Sequence, residues 1–166
     1  VAATISYKGP DYTFSYSSAY QLKEDTAGTT DEVLGQTIFN AKLGLPEYVL
    51  RIFNEEVDIK NGMSEFAAID IARRVCAADG RDNSIYCTDA ILISPVRTRE
   101  LQGFRMLLRE ETRSFVTGVI SSRTRGPVYV LAKRATHGAV MISYDHPTRI
   151  QRAHMRLIQQ ILRTFV

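Results

Sequence analysis

No run of about 18 apolar residues occurs anywhere in the chain, which removes a membrane-spanning helix from consideration. The motifs of the commonest enzyme classes are missing as well: there is no G-x-S-x-G elbow, no P-loop, no H-E-x-x-H pair and no Rossmann glycine fingerprint. A triad assembled from distant residues leaves no such mark, so these absences weigh against particular classes and not against catalysis as such. Cysteine is scarce, with two residues, and neither C-x-x-C nor a Cys/His cluster at ligand spacing is present. No zinc site and no cofactor are therefore expected. No internal repeat, low-complexity tract or linker divides the chain, so one domain over 1–166 is expected. The first residue is Val1 where a translation product begins with Met, the expected look of a chain trimmed of a signal peptide, a lipoprotein leader or a cloned-away segment.

What is there is the composition of a soluble globular protein, 45% apolar and 23% charged. Cys76 and Cys87 bracket CAADGRDNSIYC, where Asp79, Gly80, Asp82 and Asn83 supply turn chemistry able to bring the two sulfurs together. A bridge there contributes roughly 2–3 kcal/mol on the loop-entropy account. It persists only in an oxidising compartment, which makes a periplasmic or secreted location the expectation, with a lipid anchor on a removed segment as one version of it. The alternative is a pair of unrelated buried thiols.

The net charge of +3 conceals an asymmetry. Residues 1–83 carry 8 Lys+Arg against 13 Asp+Glu, and residues 84–166 carry 13 against 5. Sixteen of the 21 basic residues are arginine, which suits planar pairing with carboxylates or phosphates. The two halves either neutralise one another or leave a basic surface.

Strand and helix periods alternate along the chain. Tyr12, Phe14 and Tyr16 alternate with Asp11, Thr13 and Ser15, which predicts an opening strand pair. Residues 23–35 are polar and aperiodic and read as a loop. Residues 36–45 and 47–57, separated around Pro46, read as strands with Tyr48, Leu50 and Ile52 on one face. Phe66, Ile69, Arg73 and Cys76, with Ala72 and Val75 beside them, recur at helical spacing behind Ser64 and predict a helix over 64–78. A strand over 84–94 ends near Pro95; 103–113 turns Phe104, Met106 and Leu108 inward and Arg105, Leu107 and Arg109 outward. Residues 114–122, 126–135 and 139–145 are strand-like, with turns at 124–126 and 136–138, giving an antiparallel meander. After Asp145-His146-Pro147, the stripe Ile150, His154, Leu157, Ile158, Ile161, Leu162 and Phe165 predicts a closing amphipathic helix.

Arg105, Arg109, Arg123, Arg125, Lys133 and Arg134 come from neighbouring segments of the meander and are the candidate binding residues, expected to gather into one basic patch for an acidic protein surface or another anion. A solvated charged face is the plainer account of the same residues. Nucleic acid is disfavoured as a partner, since no RNP-type aromatic motif or basic recognition helix stands among them. If a catalytic site is present, His154, His137, Glu110 and Glu111 are its candidate acid and base groups. His146 reads as part of a helix entry, and the spacing of the two thiols favours a structural use over a nucleophilic one.

The segments YKGPDYTFSYSSAY at 7–20 and VYVLAKRATHGAVMISYDHPTRIQRAHMRLIQQILRTFV at 128–166 resemble the opening and closing parts of PsbP-like domains, with Tyr20 standing where those domains usually carry tryptophan. Between them only the order of elements matches. The resemblance implies an α+β domain, an αβα sandwich with a central, mostly antiparallel sheet. It also implies a non-enzymatic, exported protein-binding role, such as an adaptor, an assembly factor or an immunity protein for a secreted toxin. It carries over no site residue.

Overall fold

A computed structural model of the chain describes residues 3–9, 12–26, 33–40, 48–55, 59, 61–76, 78–79, 83–134, 138–144 and 152–166. The strands β1 (Thr4–Lys8) and β2 (Thr13–Ser17) pair as a two-stranded ribbon. A second sheet contains β3 (Tyr20–Thr26), β4 (Val33–Asn40), β5 (Tyr48–Glu55), β6 (Ala78–Asp79), β7 (Asn83–Arg97), β8 (Leu101–Ser114), β9 (Ile120–Lys133) and β10 (Ala139–Tyr144). Its order is β3-β4-β5-β10-β9-β8-β7-β6, and every described pairing is antiparallel. Two helices complete the described chain, α1 (Glu65–Cys76) and α2 (Arg152–Thr164).

The central strands β9 and β10 alternate apolar residues toward both faces, as strands covered on both sides must. Tyr129, Leu131, Val140 and Ile142 enter one core with Tyr12, Phe14 and Tyr16 of the ribbon and Leu157, Ile158, Ile161, Leu162 and Phe165 of α2. Val128, Val130, Ala132, Ala139 and Met141 enter a second core with Ala68, Ile71, Ala72 and Cys76 of α1. From His154 to Phe165 the predicted closing stripe is buried as expected. The chain end is stitched to β2: Thr13 and Val166 exchange both backbone hydrogen bonds, each 2.9 Å, and Phe165 stacks on Tyr12 at 4.9 Å.

Helix α1 begins where Ser64 caps it, its Oγ accepting from Ala67 N at 3.1 Å. Its sheet-facing side is rotated from the predicted stripe: Ala68, Ile71 and Ala72 are buried, and Phe66 is 84% exposed. Two alanines at i and i+4 present a low ridge, so the helix settles closely onto β8 and β9 through them and not through Phe66.

Four local expectations need correction. Residues 23–35 are not one loop, because β3 and β4 pair as a hairpin through them; β3 is the sheet's edge, where exposed Lys23 and Glu24 need no apolar alternation. Strand β7 runs through Pro95 to Arg97. Residues 124–126 make no turn: Met106 opposes Val128 and Leu108 opposes Arg125, so Gly126 and Pro127 form a β-bulge in a continuous β9, Gly126 taking φ 132°. The turn lies instead at 115–119, inside the segment expected to be strand. There Gly118 has φ 70°, and Ser114 closes the loop through Thr117 N to its Oγ at 3.2 Å and Gly118 N to its carbonyl at 2.9 Å. The expected turn at 136–138, the strand over 41–45, the helix entry at 145–147 and Ile150 lie wholly or mainly outside the described residues.

Burial raises the phenols of Tyr20 and Tyr129 above their usual value; at Tyr129 it outweighs the opposing pull of the Arg105 guanidinium. The folded chain therefore keeps protons that the unfolded chain releases above about pH 10, and stability falls as pH rises through that region. Melting curves between about pH 8 and 11 should show this decline, with a shallower slope for Tyr129→Phe; an identical slope in the variant would contradict the assignment.

Candidate functional site

The six candidate cations are divided between the faces of the sheet. On β8, Arg105 and Arg109 share the face of Leu101, toward α2 and the ribbon, and Arg105 lies opposite Tyr129 with its Nε buried and without a hydrogen-bond acceptor. Lys133 is on the same face, its Nζ 5.5 Å from the Tyr12 ring centroid. Arg123 and Arg125 point the other way, because the extra residue at the Gly126-Pro127 bulge inverts the alternation of β9. Arg134 stands in the turn after β9, its backbone N donating to Glu100 O at 3.1 Å.

Arg123 and Arg125 converge on Glu110, whose side chain is 2% exposed. Arg123 Nε donates to Glu110 Oε1 at 2.6 Å, Arg125 Nη1 to Oε2 at 3.2 Å, and Arg125 Nη2 to Ser143 Oγ at 3.3 Å. Cys87 is opposite Glu110 in the β7–β8 register and is disulfide-bonded to Cys76 at the end of α1, with the Cα atoms 6.0 Å apart. Cys76 Sγ, Cys87 Sγ and a Glu110 oxygen lie within 4.8 Å of one another. With the sulfurs bonded together and both carboxylate oxygens taken by guanidinium groups, these atoms form a closed structural cluster and not a ligand set.

Among the described residues the candidate acid and base groups do not meet. Glu110 faces α1, its neighbour Glu111 faces away and lies opposite Tyr86, and His154 is buried on α2 beside the Tyr20 ring at 6.2 Å. His137 and His146 are outside the described residues.

Two surface features went unrecognised in the sequence. The β8–β9 turn carries Phe115, Val116, Val119 and Ile120, exposed by 61, 76, 61 and 55%, at one end of the long antiparallel ribbon of β7, β8 and β9. Their aromatic and β-branched content imitates a strand; Thr117-Gly118 at the centre is the turn signal the sequence carries. The charges behind this tip are mixed, with Glu111 and Arg113 two residues apart on β8, Arg123 paired with Glu110, and Arg109 opposite Asp89. At the far end of the same ribbon, a cleft of about 410 Å³ is lined by Ile59, Asn61, Gly62, Arg97, Gln102 and Ala132, with Lys133 and Arg134. Gln102 shapes it by clamping Met63, accepting from Met63 N at 2.8 Å and donating to Met63 O at 3.1 Å.

No family model, curated protein or solved structure matches the chain. Fold and site are therefore defined by their own geometry: an antiparallel α+β protein with a disulfide and a C-terminal helix, in which no described helix is long and apolar enough to cross a membrane.

Proposed function

We propose that the chain is a non-catalytic protein-binding domain of an oxidising compartment, periplasmic or extracellular, and that it engages its partner through the apolar β8–β9 tip. The observation that carries the reading is the outward placement of Phe115, Val116, Val119 and Ile120. Fully burying side chains of this kind is worth roughly 1.5–3 kcal/mol each, and a folded chain that leaves four together in water holds an unused driving force for association. The mixed charges behind the tip favour a protein surface over an anionic bilayer, which selects for one sign. The disulfide is compatible with an exported location. The αβα sandwich and the PsbP-like resemblance belong to the same proposal, supported by α1 and α2 lying against opposite faces of the sheet. An adaptor, an assembly factor or an immunity protein for a secreted toxin is the form such a domain takes.

A photo-cross-linking residue at Val116 should capture a protein from the exported fraction of the native cell that the same residue at Phe66, at least as exposed on α1, does not. The captured protein, once purified, should bind Phe115→Ser/Val119→Ser at least about tenfold more weakly than the unaltered chain, the usual loss on truncating a central apolar anchor. Equal binding by the double variant would sink the role of the tip.

A further inference from the structure

We infer that the cleft at the opposite end of the ribbon from the apolar tip is a binding site for a small organic anion, a carboxylate or a phosphate ester, held between Arg97 and Arg134. Gln102 and Ala132 form the floor: Arg97, Gln102 and Ala132 are one cross-strand row of β7, β8 and β9, on the face that carries α1. Ile59, Asn61 and Gly62 make the wall, fixed by the clamp between Gln102 and Met63. The clamp consumes the Gln102 amide, so the floor is a rigid neutral surface and the charge comes from the rim.

Both rim arginines are exposed, and neither guanidinium has an ion-pair partner among the described residues. Among the described residues no carboxylate lines the cleft. Lys133 contributes to the lining while its ammonium lies over Tyr12 on the other face, so it adds long-range potential and no direct contact. Arg97 and Ala132 are two strand spacings apart, about 10 Å, which two arginine side chains span to close on one ligand from both sides. The volume matches a small organic molecule better than a bare inorganic ion. A guanidinium fork pairs with either a carboxylate or a phosphate in bidentate geometry, so the two sources share one recognition chemistry. Along β8 from Gln102 to Ser114 the cleft is about 40 Å from the tip, far enough for an anion and a protein partner to be held together.

Titration calorimetry with citrate and with glycerol phosphate, at low and at physiological salt, tests the inference. Saturable binding of at least one of them is expected, weakening with salt; the tighter of the two identifies the group recognised. Arg97→Gln and Arg134→Gln should each weaken it about tenfold, the loss of one charge-assisted contact, while Arg99→Gln, next to the cleft but outside it, leaves it unchanged. All three side chains are exposed, so the variants should melt with the unaltered chain. Absence of saturable binding by either probe, or equal binding by the Arg97→Gln/Arg134→Gln double variant, overturns the inference.

Discussion

Replacing Glu110 with alanine is expected to cost about 3–4 kcal/mol of stability and to lower the melting temperature by roughly 10 °C. The reason is asymmetry in what the substitution strands. The Glu110 carboxylate is buried against two guanidinium groups, and of these Arg123 is 49% exposed while Arg125 is 17% exposed. On loss of the carboxylate Arg123 can turn into water, whereas Arg125, only 17% exposed, keeps its contacts away from Glu110, such as Ser143, and loses a charged partner in a mostly closed site. The expected order of damage is thus Glu110→Ala, then Arg125→Ala, then Arg123→Ala, the last within about 1 kcal/mol because its pair is half in solvent. Glu110→Gln, which keeps one oxygen acceptor, should fall between the first two.

A companion variant separates charge from packing. Glu110→Leu/Arg125→Met removes both buried charges together and should recover most of the stability lost in Glu110→Ala, since well-packed apolar replacements of a buried ion pair are often neutral or better. Denaturant unfolding of the series reads this directly. A cost below about 1 kcal/mol for Glu110→Ala would mean that the cluster behaves as an ordinary surface pair. The position of Glu110 adds a dynamic consequence. It sits in register with Cys87 on one side and Arg123 on the other, tying β7, β8 and β9 together at the root of the apolar tip. Hydrogen exchange of the β8–β9 amides beyond the cluster should therefore quicken in Glu110→Ala more than global destabilisation accounts for.

The parts of this fold that could be read in the sequence are those where burial repeats with one period. Leu157, Ile158, Ile161, Leu162 and Phe165 announce α2 because one side of that helix lies wholly against the sheet. Tyr12, Phe14 and Tyr16 announce β2 for the same reason at period two, and the Cys76/Cys87 pairing followed from turn residues between two elements that pack together. What could not be read depended on strand register. Arg123, Arg125 and Lys133 have the same parity in sequence and look like one face, but the single extra residue at Gly126-Pro127 puts the first two toward α1 and the third toward Tyr12. Gly-Pro is equally good chemistry for a turn and for a bulge, and only the partner strand decides. The tip was hidden by the opposite effect. Valine, isoleucine and phenylalanine there look like a strand core, since residues of that kind are seldom left in solvent, and a violation of local rules is where function tends to lie. Arg97 carries no mark in the sequence, because nothing in one strand shows that the cleft wall from another part of the chain stands beside it.

Reduction of the Cys76–Cys87 bridge is expected to cost about 3 kcal/mol and to lower the melting temperature by roughly 6–12 °C. The bridge closes a short loop, sequence separation 11, and ties the last residue of α1 to β7. Most of its effect is on the unfolded chain, whose freedom it restricts, so the folded protein should keep its spectrum after reduction while unfolding earlier. Both sulfurs are buried, and a reductant thiolate must reach one of them in line. Reduction of the native protein should accordingly be slow, limited by opening of the α1 end, and fast in denaturant. Intact mass gives the oxidised state, two hydrogens lighter, and melting with and without reductant gives its worth. Cys76→Ala/Cys87→Ala should melt slightly below the reduced protein, because each alanine also leaves a small void where a buried sulfur was. If reduction is complete by mass and the melt does not move, the bridge contributes nothing to stability, and the placement of this domain in an oxidising compartment loses its physical basis. If the melt falls as expected, a cytosolic existence would leave the chain short of a large part of the 5–15 kcal/mol that holds an ordinary domain folded.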